Sequence, residues 1–400
     1  MVDIPANAFS KHVRHFSLDR DCTYLNHGAF GSCPMAVQEY QSELRREMET
    51  QALRFLDRKL EVLSEQARNE LGSLIGAHGD EIAFVTNATT GVNTVLRSLK
   101  FSAGDELLVT NHEYNACRNA LEFVAARAGA KVVVVKIPFP IDSPETALAA
   151  VLNAVTDRTR LALMDHITSP TGMILPIEQI VAALNERGID TLVDGAHATG
   201  QLALDLSALG AAYYTSNCHK WLCTPKGSAY LWVREDKQED IRPLVISHGA
   251  NATTKNRSRF RMEFDWQGTF DPTPWLCIPK AIEVLSSLHD GGMAELMRRN
   301  HETVMQGRAV LCNALNIPEP CPESMIGSLA AVPLPSGTGD GPRDDHFRDA
   351  TQLSLNEEFN IEVPVFAWPS WPNRILRISA QAYNTPQQYQ RLAAALTRIL

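Results

Sequence analysis

Between residues 82 and 233 this chain alternates short apolar runs with longer amphipathic stretches, and that alternation restricts its fold more than any other feature. Ile82-Ala83-Phe84-Val85 is followed by the polar turn Thr86-Asn87-Ala88-Thr89-Thr90-Gly91 and a helix expected over 92–99. Further strands are expected at 106–109, 131–137, 161–164, 190–193, 212–214 and 228–233, with helices at 116–129 and 177–187. Short apolar runs bounded by turns read as buried strands. Strands separated by helices pair in parallel through right-handed crossovers, which predicts a mostly parallel, buried sheet in an α/β fold. Such sheets bind ligands beyond the carboxyl ends of their strands. Polar residues gather at those ends: Thr89, Thr90, Tyr114, Asp194, His197, His219 and Lys220.

Outside this block the texture changes. Leucines at helical spacing predict helix over 34–71. Beyond Pro279, helices are expected at 281–289 and 293–314, then an exposed Pro/Gly/Ser-rich loop at 333–343, a strand at 374–379 and a helix at 385–400. The expected division is an N-terminal segment, 1–25, packing on the small domain; a large domain, 26–279; and a small α+β domain, 280–400.

Composition narrows the function classes. A net charge of −9 gives no electrostatic reason to expect nucleic acid as a partner. No apolar run approaches the ~20 residues that span a bilayer, and residues 1–20 lack the apolar core of a signal peptide. The eight cysteines are scattered, with no disulfide framework and no metal-ligand spacing, so a reducing cytoplasm is the expected location. A dehydrogenase would want G-x-G-x-x-G after a first strand, and none is present.

Two segments carry the chemistry. Thr215-Ser216-Asn217-Cys218-His219-Lys220-Trp221 sets a lysine beside a histidine after an apolar run. A partly desolvated amine there loses its proton more readily and becomes a usable nucleophile. Lys226, in a turn, is the competing lysine. Asp194 ends the run Leu192-Val193 and, if buried, needs a positive partner. An amine that forms a Schiff base, plus a carboxylate that keeps a pyridine nitrogen protonated, are what pyridoxal phosphate (PLP) chemistry requires. Thr89-Thr90-Gly91 opens a helix, where free amides favour a phosphate, although an ordinary N-cap uses the same residue types. Arg377 interrupts the apolar strand Ile375-Leu376-Arg377-Ile378, which suits either a substrate carboxylate or a structural ion pair.

Taken in order, these motifs resemble the class V aminotransferase group of fold-type I PLP enzymes, which includes cysteine desulfurases, kynureninase and isopenicillin N epimerase. The likeness runs from Tyr24-Leu25-Asn26-His27-Gly28 to Ala382-Tyr383-Asn384-Thr385. It implies the aspartate aminotransferase-like fold, with helices on both faces of the sheet, and PLP as cofactor. By the same resemblance Lys220 is the Schiff-base lysine, Asp194 the partner of the ring nitrogen, and His197 lies near the phenolic oxygen. Thr89, Thr90, Asn217 and His219 surround the phosphate, Tyr114 stacks on the ring, and Ser169 takes the place of the usual asparagine. Thr269, after Gly268, reaches the phosphate of a neighbouring subunit, which implies a homodimer with shared sites. Asn26, His27 and Arg377 meet an amino-acid substrate.

The desulfurase cysteine has no counterpart in Val363-Pro364-Val365-Phe366-Ala367-Trp368-Pro369-Ser370-Trp371-Pro372. Persulfide chemistry of that type is therefore not expected. The motifs look most like the isopenicillin N epimerase-like branch, which also holds carbon–sulfur lyases. The expected activity is epimerisation at the α-carbon of an amino acid. Carbon–sulfur cleavage and transamination are the alternatives, and a non-catalytic PLP-fold binding protein is a further one. Tyr114, His27 and His112 are the candidate second acids for epimerisation. The aromatic loop 366–371, Phe30 and Trp275 are candidate pocket walls.

Overall fold

A computed structural model describes residues 4–253, 257–339, 341 and 349–400. Its centre is a seven-stranded sheet built from β1 (Ile82–Val85), β2 (Glu106–Thr110), β3 (Lys131–Val135), β4 (Thr159–Asp165), β5 (Asp190–Asp194), β6 (Tyr213–Asn217) and β7 (Ala229–Val233). The spatial order is β1-β7-β6-β5-β4-β2-β3. Only β7 runs against its neighbours, pairing antiparallel with β1 and β6. Side chains alternate along each strand. Leu161 and Leu163 of β4 enter one apolar layer, and Ala162 and Met164 enter the other. A sheet buried on both faces has no solvent side, which is why the strands read as unbroken apolar runs.

The helices α1 (Met35–Thr50), α2 (Leu60–Ile75), α3 (Ala88–Ser98), α4 (Asn115–Ala128), α5 (Pro144–Asn153) and α6 (Ile177–Asn185) precede or connect these strands. The expected helix over 34–71 is two helices, separated by a widened π turn at Arg54–Lys59. α3 begins earlier than expected because Asn87 caps it, its side-chain oxygen accepting from the Thr90 amide at 2.8 Å. Thr89 and Thr90 therefore sit in the first turn and are not caps.

After α7 (Ile278–Ser286) and α8 (Gly292–Leu315), a second sheet forms from β8 (Leu329–Leu334), β9 (Val365–Ala367) and β10 (Arg374–Ser379). Its order is β9-β10-β8, all antiparallel. α9 (Ala350–Phe359) and α10 (Pro386–Ile399) complete the C-terminal part. The expected loop at 333–343 begins two residues too early, since Pro333 and Leu334 pair with β10. Pro333 is tolerated because β8 is an edge strand and a missing N–H costs nothing on its free side. Of the remainder, residues 340, 342 and 343 lie outside the described residues. The N-terminal segment lies on the C-terminal part: the Ser10 amide donates to the Tyr383 carbonyl at 3.0 Å, and Thr23–Tyr24 pairs in parallel with Ile361–Glu362.

One glycine fixes how the N-terminal segment meets the main sheet. Gly31 has φ +71° and ψ 166°, a backbone region essentially closed to other residues. A Cβ there would lie 2.1 Å from the His219 carbonyl and 2.8 Å from that of Lys220. Gly31→Ala is therefore expected to lower stability by roughly 2–4 kcal/mol, measured by chemical denaturation. A loss below about 0.5 kcal/mol, within the range of an ordinary surface change, would show that this contact does not constrain the Lys220 loop.

Candidate active site

Three adjacent parallel strands bring the polar residues together. Asp165 at the end of β4 is in register with Asp194 at the end of β5, and Asp194 with Thr215 on β6. β6 then runs on through Asn217 into the turn that carries His219 and Lys220. A cavity of about 730 Å³ opens at this edge. Its walls include Thr89, Thr90, Tyr114, Asp165, Ser169, Asp194, His197, Asn217, His219 and Lys220, and, from the segments packed over the edge, Asn26, Phe30, Phe366 and Arg377.

Lys220 is poised to lose its proton near neutral pH. Burial lowers it to about 7, Arg377 adds repulsion, and Asp194 and Cys117 oppose the shift. Its Nζ lies 3.1 Å from His197 Nε2. Lys226, the competing lysine, is engaged elsewhere: it donates to the Gly31 carbonyl at 3.0 Å.

Asp194 is buried among other acids. Its Oδ1 accepts from the Ala196 amide at 2.9 Å and its Oδ2 from the Cys117 thiol at 3.2 Å. Burial raises Asp194, and the Ala196 amide, the Cys117 thiol and Lys220 pull it back. Glu113 and Asp165 are raised further by burial, Glu113 also by the charges of Asp165 and Asp194, and Asp165 by that of Asp194. Both Glu113 oxygens and Asp165 Oδ2 have no hydrogen-bond partner among the described residues. Three carboxylates cannot all ionise in a dry cluster. Asp194 takes donors on both oxygens and is the one that Lys220 also pulls down, so it is the member of the cluster best placed to carry charge. Neither Glu113 nor Asp165 was singled out from the sequence, although Asp165 ends an apolar run as Asp194 does.

The turn into α3 offers donors. Asn217 Oδ1 accepts from the Ala88 amide at 2.9 Å, and Asn87 takes the Thr90 amide, which leaves the Thr89 amide without a partner among the described residues. With the Thr89 and Thr90 hydroxyls and the helix dipole, this is an anion cradle. His219 stands beside it, held by its Nδ1 at 3.0 Å from the Ser228 carbonyl and lowered by burial to about 4.

Arg377, on β10, is the counterpart on the other wall. It is buried, donates to the Ser169 carbonyl and lies over the Phe366 ring at 5.2 Å. No carboxylate pairs with it among the described residues, whereas Arg374, three residues earlier, pairs with Asp349. Burial lowers even this guanidinium to about 10. A buried cation facing a cavity without a counter-ion is a site for an anion.

Several expectations are corrected by this geometry. His27 is not in the cavity wall: it is fully buried, with Nδ1 2.8 Å from the Tyr383 hydroxyl and Nε2 3.0 Å from the Lys220 carbonyl. His112 is likewise turned inward, to Thr171 Oγ1 at 2.8 Å and the Ile137 carbonyl at 2.9 Å. The expectation for Thr269, that it acts on a neighbouring subunit, is untouched: in its own chain it lines a separate cavity of about 300 Å³, whose wall also includes Thr86 and Thr90. Trp275 stacks on Phe84 in the core. Of the 366–371 loop only Phe366 reaches the main cavity, while Trp368 packs on His112.

These residues fit PLP on the structure's own terms: an amine that gives up its proton near neutrality, a buried carboxylate held by donors on both oxygens, an anion cradle and a half-exposed Tyr114 ring share one cavity. The aminotransferase class-V family model matches residues 31–319. An isopenicillin N epimerase of Amycolatopsis lactamdurans is 34% identical over 98% of this chain and 99% of its own length. A probable chloroplastic L-cysteine desulfhydrase of Arabidopsis thaliana is 30% identical over 96% of this chain and 84% of its own. Among solved structures, a lysine-to-alanine mutant of C-DES with glycine covalently linked to its PLP cofactor covers 97% of this chain and 99% of its own, at a TM-score of 0.79 and 22% identity. The apo cysteine desulfurase of Thermococcus onnurineus NA1 covers 100% and 98%, with the same score and 18% identity. These two likenesses establish the fold. Among the described residues, no helix is long and apolar enough to cross a membrane.

In protein freed of cofactor, competitive labelling with an amine-selective reagent should give Lys220 a half-maximal reactivity near pH 7. Arg377→Met removes a repelling charge and should move that midpoint upward. A wild-type midpoint near that of an ordinary lysine would contradict the geometry.

Proposed function

The chain belongs to the aminotransferase class-V family, and from that premise we propose that it is a PLP-dependent enzyme acting at the α-carbon of an amino acid, with epimerisation as its outcome. The observation that carries the reading is that Lys220, with its proton held loosely, and Arg377, which has no carboxylate partner among the described residues, face one cavity. Bound there, PLP supplies an electron sink that makes the substrate's α-hydrogen acidic.

The residues divide the work. Lys220 anchors the cofactor and then removes the α-proton. Asp194 keeps the ring nitrogen protonated. Thr89, Thr90, Asn217 and His219 hold the phosphate, with Thr269 reaching it from the second copy in a homodimer. His197 and Ser169 flank the phenolic oxygen. Arg377 grips the substrate carboxylate, with Asn26 beside it. Tyr114 takes the place of the second acid, since His27 and His112 have both ring nitrogens engaged in the interior. The division at 25/26 and 279/280 belongs to the same reading: the second sheet lies wholly beyond residue 280 and supplies Arg377. A cytoplasmic location is also part of it.

Two observations bear on the alternatives. L-cysteine desulfhydrases among the relatives favour carbon–sulfur cleavage as the second reading. A persulfide mechanism is disfavoured because no cysteine lines the cavity among the described residues.

The test is incubation of the PLP-loaded protein in D₂O with amino acids that include cysteine and longer thioethers. Deuterium at Cα with inverted configuration is the expected result. Sulfide and pyruvate from cysteine would shift the assignment to lyase, and neither exchange nor product would contradict both. Tyr114→Phe should lower inversion by roughly 10²–10⁴-fold while leaving Cα exchange in place. Arg377→Ala should raise KM roughly 10–100-fold with a smaller change in kcat.

A further inference from the structure

Trp221 follows Lys220 and has no part in the reading so far. It is fully buried, with its ring 5.0 Å from that of His27. Its indole Nε1–H donates to His197 Nδ1 at 3.4 Å. The opposite nitrogen of the same imidazole, Nε2, faces Lys220 Nζ at 3.1 Å.

These contacts fix where the protons are. An indole N–H can only donate, so His197 Nδ1 must be bare. Burial holds His197 well below its ordinary value, and the Arg377 charge and the neighbouring His27 and His219 add to this. The ring is therefore neutral and carries one proton, which sits on Nε2. That proton points at Lys220, and Lys220 can meet it only with a lone pair. An ammonium on Lys220 would set two donors face to face. Relief would require moving the His197 proton to Nδ1, where it would meet the indole N–H.

We propose that Trp221 is a positioning residue: acting through His197, its indole N–H selects the form of Lys220 that presents a lone pair to the cavity. This rests on Lys220 being the cofactor's anchor and base. Among the described residues, the other titratable and charged groups beside Lys220 are Arg377 from β10, Asp194 from β5, Cys117 from α4 and His219 from its own turn. Arg377 also disfavours a proton on Lys220, while Asp194 and Cys117 favour one. The indole thus acts in the same direction as burial and Arg377, and does so through hydrogen-bond direction without adding charge.

The test has two parts. In the PLP-loaded enzyme labelled with ¹⁵N-histidine, with the signal assigned through His197→Gln, His197 should be the Nε2–H tautomer with a bare Nδ1. Observation of the Nδ1–H tautomer would overturn the proposal, and this readout needs no Trp221 variant. In Trp221→Phe, the pH midpoint of the bound cofactor's visible absorption should rise on the order of one unit, because Nε2 becomes free to accept. The same substitution in the His197→Gln background should give no further shift. An unchanged midpoint in the single variant, or an equal shift in both backgrounds, would contradict the proposal. Absence of any visible band in the wild type would instead defeat the cofactor assignment, leaving the tautomer to be read independently.

Discussion

Charge held out of water without being cancelled is the condition on which this structure turns. Lys220, Asp194 and Arg377 share one cavity at the carboxyl edge of the sheet, and the dryness of that edge depresses the two cations and raises the acids around Asp194. Leaving a buried guanidinium without a counter-ion is destabilising. The surrounding sheet, buried on both faces, supplies the rigidity that keeps these groups apart. On the proposed reading the cost is relieved by a ligand that carries the missing charges: a phosphate for the turn into α3, a ring nitrogen for Asp194 and a carboxylate for Arg377.

Positions of most of these groups were legible in the sequence because parallel strands end where their apolar runs end. Asp194 and Lys220 each follow such a run, and the register of β4, β5 and β6 converts that one-dimensional signal into a common edge. What escaped reading depends on tertiary contacts. Nothing local distinguishes Arg377 as a ligand site from Arg374, three residues earlier, which does form a buried ion pair with Asp349. His27 sits in a motif full of polar residues, yet packing turns it to Tyr383 and away from the cavity. β8 was missed because Pro333 looks like a breaker, and only the sheet order shows that its position is on an edge. Glu113 and Asp165 were missed because an acid among other acids gains its meaning from their mutual proximity.

The second sheet is what makes the cavity specific. On the proposed reading the first sheet contributes the amine, the ring-nitrogen partner and the anion cradle that hold the cofactor. β10 brings Arg377 and the segment before it brings Phe366 to the cavity, so the proposed recognition of the substrate falls to the C-terminal part and the N-terminal residues lying on it. Changes of substrate within such an architecture can therefore arise in residues 362–377 while the chemistry at Lys220 stays constant.

Identity of the lysine that holds the cofactor tests the central claim most directly. The PLP-loaded protein is reduced with borohydride, digested and mapped by mass spectrometry. The cofactor's added mass on the peptide that contains Lys220, at Lys220 itself, is the expected result. Its recovery on Lys226 or on another lysine, or on none, would contradict the assignment on which the site and its chemistry are built.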